Sequence, residues 1–284
     1  MTTLLKTRLS PALLLLATVW LVFNSHHSIA SNELAKQAHA NAFDEQDKPL
    51  RIAVAANFAP TLEQLLSDFP NKNKIKYQII SAATGTIYQQ IKHGAPFDLF
   101  LAADNVRPKM LEQERLIIAN SRKTYAFGQL ALWSATQQLS SLNELNNFSG
   151  YLAIANPNTA PYGKAAQQVL ESLSLWSQLK KRVVTGININ QTFQQVRSQA
   201  VPIGIVALSQ LKMNQLDGIA IPSNYYQPIS QQLVVLKSSK QINNAKQISD
   251  YLLQKTTQVK LEELGYLPSD ITPLNTNVKN KSVK

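Results

Sequence analysis

Four short segments carry the residues whose types and spacing bear on chemistry: Ala55-Ala56-Asn57-Phe58, Ser81-Ala82-Ala83-Thr84-Gly85, Ala160-Pro161-Tyr162-Gly163 and Gly186-Ile187-Asn188-Ile189-Asn190. Each follows an apolar run of strand length and precedes a stretch with helical spacing. None contains Lys, Arg, His, Asp or Glu, although the chain carries a formal net charge of +11. At the carboxyl ends of strands in an open α/β sheet, free backbone N–H groups and the positive ends of helix dipoles converge, so such loops suit an anion. Here they would hold it with dipoles alone. The side chains of Asn57, Thr84 and Tyr162 add donors to those of the backbone, and Gly85 and Gly163 permit close backbone approach. Phosphate near neutral pH keeps a proton that a carboxylate is well suited to accept, whereas molybdate, tungstate and sulfate present acceptors only. Neutral donor loops therefore favour a fully ionised oxyanion. Singly, Asn57 and Thr84 also read as helix caps and Tyr162 as a core cover. Their shared position at strand-to-helix junctions favours a site.

Catalysis finds little support. Past residue 48 there is one histidine, His93, beside Gly94 at an expected helix end, where a solvated or dipole-paired imidazole is the usual case. No G-x-S-x-G, G-x-x-x-x-G-K-[ST] or G-x-G-x-x-G occurs. Asp98 and Asp104 flank one strand and could pair as acid and base, but a strand terminus and a helix cap account for them. The chain has no cysteine, which excludes disulfides, thiolate metal sites, a cysteine nucleophile and an acylated lipoprotein cysteine.

The elements that must position these loops alternate along the chain. Strands are expected over Arg51–Ala56, Lys76–Ser81 and Asp98–Ala103, with helices over Pro60–Phe69, through Ile87 and Ile91 to Gly94, and from Val106 to Glu114. A β-rich crossing segment, Tyr125–Ser134, leads to a second block with strands Tyr151–Ala155, Arg182–Thr185 and Ile203–Ala207 and helices Lys164–Leu173 and Gln191–Ser198. A return strand, Leu233–Leu236, and helices Ala245–Leu253 and Thr257–Leu264 pack back on the first block. The pattern predicts an α/β protein of two lobes with mostly parallel sheets, helices on both faces and a ligand cleft between. The expected division is 49–128 for the first part of lobe 1, 129–232 for lobe 2 and 233–270 for the return to lobe 1.

Residues 1–30 carry Lys6 and Arg8 followed by an uncharged apolar run, Pro11 to Phe23, the profile of a signal peptide cleaved after Ala30 or Ala40. The run is shorter than the roughly 20 apolar residues of a membrane-spanning helix. Residues 31–48 read as a flexible leader and 271–284 as a flexible basic tail. Without residues 1–30 the chain has 26 basic and 17 acidic residues, a net +9. The basic residues are dispersed, with Lys180-Lys181-Arg182 the longest run and no interleaved aromatics, so nucleic acid is not an expected partner.

The sequence resembles the periplasmic molybdate-binding proteins of ABC transporters over about residues 51 to 267. The likeness rests on Val54-Ala55-Ala56-Asn57-Phe58, on Ile91-Lys92-His93-Gly94-Ala95-Pro96-Phe97-Asp98 with Ala102-Ala103-Asp104, on Ala155-Asn156-Pro157-Asn158-Thr159-Ala160-Pro161-Tyr162-Gly163, and on Gly204-Ile205-Val206-Ala207-Leu208-Ser209. The resemblance implies a type II periplasmic-binding fold whose lobes close over a bare oxyanion, molybdate or tungstate, held by hydroxyl and backbone N–H donors. It further implies a periplasmic monomer with no cofactor and no directly coordinated metal, whose partner is the membrane permease of an ABC transporter. Carried over by position, the donors fall at Ala56, Asn57, Ala83 and Thr84 in the first lobe and at Tyr162 and Ile189 in the second. Ala56, Ala83 and Ile189 offer only main-chain N–H groups. Many members carry serine where this chain has Ala56 and Ala83, and some use a tyrosine where it has Ala207. Donation from the missing serines would then move to Asn57 and Thr84 or be lost, and Tyr162 would be the compensating phenol. Sulfate, phosphate or a small organic acid would suit the same architecture, since a fold does not dictate its ligand.

Overall fold

The computed structural model describes residues 48–270; the expected signal segment, the leader up to residue 47 and the tail from 271 lie outside the described residues. The first block alternates β1 (Leu50–Ala55), α1 (Ala59–Ser67), β2 (Tyr77–Ala82), α2 (Thr84–Lys92), β3 (Leu99–Leu101) and α3 (Val106–Gln113). β1 and β3 are almost entirely apolar because helices cover both faces of the sheet they share. α1 begins with Pro60 in its first turn, where a missing N–H costs nothing, and buries Leu62, Leu65 and Leu66. α2 ends at His93, and Gly94 supplies the left-handed backbone (φ +82) that terminates it. Asp104, expected to cap α3, lies one residue before its N-cap Asn105, and its Oδ1 accepts the first-turn Arg107 N–H at 2.9 Å.

The stretch read as one crossing segment divides between two sheets. β4 (Lys123–Gly128) belongs to the first, β5 (Leu130–Trp133) to the second, and Gln129 lies between them. The second block continues with β6 (Leu152–Ala155), α4 (Pro161–Ser172), α5 (Trp176–Leu179), β7 (Val183–Gly186), α6 (Ile189–Arg197), β8 (Ile203–Ala207), α7 (Leu208–Met213) and β9 (Ile219–Ala220). β10 (Ile229–Val235) then returns to the first sheet, and α8 (Ile242–Leu252) and α9 (Lys255–Glu263) follow. The return starts at Ile229, which pairs with Gly128, rather than at Leu233. Polar Ser230, Gln231 and Gln232 conceal that start in the sequence.

The first sheet has the order β2-β1-β3-β10-β4 and the second β7-β6-β8-β5-β9. Each holds three mutually parallel strands from its strand-helix units, while the strands nearest the crossings, β4 and β10 or β5 and β9, supply the antiparallel pairings. α8 and α9 pack on the first lobe, where Ala245, Ile248, Leu252 and Leu261 share a core with Leu50, Ile52 and Leu62. α7 and β9 were not expected from the sequence, being only six and two residues long.

Candidate functional site

Each neutral loop sits where a strand hands over to a helix, and all four meet at one small cavity of about 10 Å³. Its wall is formed by Ala55, Ala56 and Asn57 after β1, Ala83 and Thr84 at the start of α2, and Ala103 after β3. From the second lobe come Ala160, Pro161 and Tyr162 at the start of α4 and Asn188 and Ile189 at the start of α6. All six residues singled out in the sequence, Ala56, Asn57, Ala83, Thr84, Tyr162 and Ile189, are thus brought together and are buried. No charged residue lines the space. The volume is close to that needed by a single water centre.

The lobes meet around this cavity through direct bonds. Gly85 N–H donates to the Thr159 carbonyl at 2.9 Å, Arg107 Nη2 to the Asn158 carbonyl at 3.2 Å, and Asn57 Nδ2 to the phenol oxygen of Tyr162 at 3.3 Å. A wider groove of about 640 Å³ lies outside, between α2 and α3 of one lobe and α4 of the other, and contains Arg107, Lys164 and Glu171. Charge is therefore present at the rim and absent from the inner wall.

The donors follow from the first turns of the helices, whose N–H groups have no partner within the helix. α1, α2 and α4 have Phe58, Ala83 and Ala160 at their N-caps, none of which bonds the helix through its side chain. The N–H groups of Asn57, Ala83, Thr84 and Tyr162 consequently have no backbone acceptor among the described residues. α6 is capped by Asn188, whose Oδ1 accepts from Gln191 N–H at 2.9 Å and leaves the Ile189 N–H free. An uncapped start costs on the order of 1 kcal/mol each, which a bound anion would recover.

Ala56 departs from the expectation. Its N–H donates to the Ala82 carbonyl at 2.9 Å, extending the β1–β2 ladder by one bond, so Ala56 forms wall but supplies no donor. Thr84 does not cap α2. Its Oγ1 accepts the Ala103 N–H at 3.0 Å, which leaves the hydroxyl proton to point elsewhere. Nor does Asn57 cap a helix: Phe58 holds the N-cap of α1, and Asn57 Nδ2 is shared between Tyr162 and the Oε1 of Gln231, 2.8 Å away. Burial pushes the Tyr162 phenol well above its ordinary pKa, so it remains a protonated donor across the physiological range.

The carboxylates read as a possible acid-base pair are separately engaged. Asp98 accepts from Arg51 N–H at 2.8 Å and from Ser239 Oγ at 2.6 Å, while Asp104 pairs with Arg107 at 2.6 Å. His93 is exposed, with Nδ1 2.7 Å from the Gln89 carbonyl at the end of its helix. Sequence reasoning missed Gln231, Tyr125 and Tyr266, which form a polar layer behind the wall. Tyr266 donates to the Asn57 carbonyl at 3.0 Å, and Tyr125 to the Ala102 carbonyl at 3.2 Å. The available signal was the amide pair Gln231-Gln232 directly before the apolar run from Leu233, since an amide buried there must have a partner.

Removing the Tyr162 hydroxyl should weaken ligand binding by about 0.5–1.5 kcal/mol, because one cross-lobe hydrogen bond and one buried donor are lost. Asp104→Ala should change it less, since Asp104 is not part of the inner wall. Titration calorimetry on Tyr162→Phe and Asp104→Ala checks the order, and the reverse order would move the site outward.

Two lobes on mixed sheets, joined by paired crossings and meeting around an uncharged cavity, have the form of a solute-binding protein. Residues 50–267 match the family described as bacterial extracellular solute-binding protein, and the chain belongs to that family. It is 40% identical over 230 residues to the molybdate-binding protein ModA of Azotobacter vinelandii, covering 78% of this chain and 90% of the relative. It is 34% identical to the molybdate-binding protein ModA of Rhodobacter capsulatus, covering 76% and 86%. Among solved structures, the periplasmic molybdate-binding protein of Azotobacter vinelandii superposes with a TM-score of 0.73 at 35% identity, covering 77% of this chain and 98% of that one.

Proposed function

We propose that this protein captures molybdate outside the cytoplasm and delivers it to the membrane permease of an ABC transporter. The observation that carries this reading is the uncharged cavity lined by Asn57, Ala83, Thr84, Tyr162 and Ile189, whose N–H groups have no backbone acceptor among the described residues. A doubly charged anion without protons satisfies such a donor set and needs no acceptor in return. The relatives named for molybdate support the choice of anion.

In this mechanism the open lobes admit the anion, and their closure brings the first-lobe donors at Asn57, Ala83 and Thr84 against those of Tyr162 and Ile189. Ala56 shapes the wall through its small side chain. The hydroxyl of Thr84 is the one side-chain donor whose proton has no competing acceptor in the first-lobe wall. The oxyanion is bound whole, so no protein atom coordinates the metal and no cofactor takes part. Tungstate, also tetrahedral and doubly charged, is expected to bind at the same site. The protein works as a periplasmic monomer, exported by residues 1–30, and does not engage nucleic acid.

Calorimetry on the ligand-free protein with molybdate, tungstate, sulfate and phosphate tests the proposal. Heat is expected with the first two, and none with any of the four would overturn the oxyanion reading. A ligand at about 100 times its dissociation constant should also stabilise the fold by about 2.7 kcal/mol, because it binds the native state alone. A melting curve unmoved by molybdate would count equally against it.

A further inference from the structure

We infer that Gln231 is a positioning residue of the anion site, setting the direction of a hydrogen-bond chain that runs through Asn57 and ends at the phenol of Tyr162. The inference rests on the anion-binding reading above and adds a residue outside the cavity wall. Gln231 is fully buried in β10, at the register shift between Gln231 and Gln232. A bulge of this kind re-aims a side chain that regular pairing would point elsewhere.

The Gln231 carboxamide is used from one side. Its Oε1 accepts from Asn57 Nδ2 at 2.8 Å and lies 3.2 Å from the Tyr125 hydroxyl, whose single proton is shared with the Ala102 carbonyl, while its Nε2 is buried with no partner. With Asn57 as placed, reversing the Gln231 amide would set Nε2 against Asn57 Nδ2, donor facing donor, so in this arrangement the orphaned Nε2 accompanies the acceptor held on Asn57. Asn57 in turn has two amide protons. One goes to Gln231, and the other points along the 3.3 Å contact to the Tyr162 oxygen. Tyr162 is thereby an acceptor from Asn57, and its own proton has no acceptor among the described residues. A buried phenol proton left unpaired in the wall of a cavity is a donor kept for the ligand.

Without the acceptor at position 231, Asn57 is free to turn its Oδ1 toward Tyr162. The phenol would then donate to Asn57, and the anion would lose that donor. The chain also crosses between the lobes, because Gln231 and Asn57 belong to the first lobe and Tyr162 to the second. Its direction therefore matters only in the closed state.

The test is a double-mutant cycle read by titration calorimetry with molybdate on the full mature chain, with melting of the ligand-free forms as a check on folding. Gln231→Leu removes the acceptor at similar volume, and Gln231→Met replaces it if the leucine variant does not fold. Each Gln231 variant and Tyr162→Phe should weaken binding by about tenfold at most, through the same lost donor. The Gln231→Leu, Tyr162→Phe double variant should then be no weaker than either single one, whereas Gln231→Leu with Thr84→Val should show both losses in full. Additive losses for the first pair, or unchanged affinity in both Gln231 variants, overturn the positioning role while leaving molybdate capture intact. Absence of molybdate binding to the unaltered protein overturns both.

Discussion

Replacing Gly163 by alanine is expected to cost the protein most of its affinity for the anion and part of its stability. A Cβ built on Gly163 would lie 2.1 Å from the Ala155 carbonyl oxygen, 2.6 Å from its carbon and 2.8 Å from the Asn156 carbonyl carbon. All three neighbours are backbone, so no rotamer change relieves the clash and the start of α4 must lift from the end of β6. That movement displaces the Tyr162 N–H, and with it the phenol that reaches Asn57. Losing two hydrogen bonds to a charged ligand amounts to about 3 kcal/mol or more, roughly a hundredfold in affinity. Overpacking of this kind further destabilises the fold by about 1–3 kcal/mol. Calorimetry and thermal melting measure the two effects separately. Near-normal molybdate affinity in Gly163→Ala would mean that the first turn of α4 does not hold the anion.

Thr84→Val should produce the second large effect. The substitution keeps shape and removes the hydroxyl, which leaves the buried Ala103 N–H without its 3.0 Å acceptor. An unpaired buried donor costs about 1–3 kcal/mol of stability, and the lost bond to a charged acceptor about 1.5–3 kcal/mol of binding, or tenfold and upward. Thr84→Ser should restore both, since only the methyl group is missing. If valine is tolerated in binding while stability falls, the hydroxyl serves the β3–α3 loop alone. Equal stability with weakened binding would place its role wholly at the ligand.

The two substitutions differ in what made them foreseeable. Gly163 stands in a loop whose residues, between an apolar run and a helical stretch, mark a close approach of backbone to ligand or to backbone. The structure assigns the approach to backbone, through the Ala155 carbonyl. Thr84 was legible as a donor by type, yet its acceptor bond to Ala103 belongs to a strand that follows it by a whole helix. A side chain's inventory of donors is local. Its surplus after internal partners are served is not.

The sequence by itself determined the alternation of strands and helices, the two blocks, the neutrality of the four loops and their meeting at strand ends. These follow from periodicity, from residue type and from where helix dipoles point in any α/β sheet. Only the tertiary structure decided which donors remain unspent. Ala56 and Asn57 are neighbours in the same turn, yet the parallel register of β1 on β2 places the Ala82 carbonyl against one N–H and leaves the other open. It also decided that Tyr125–Ser134 would divide between two sheets at Gln129, and that a polar stretch from Ile229 would enter the first sheet and carry Gln231 behind the site. The physical reason is common to all three: a backbone or amide group is satisfied by whichever partner long-range pairing brings within hydrogen-bond distance, and no local pattern encodes that choice.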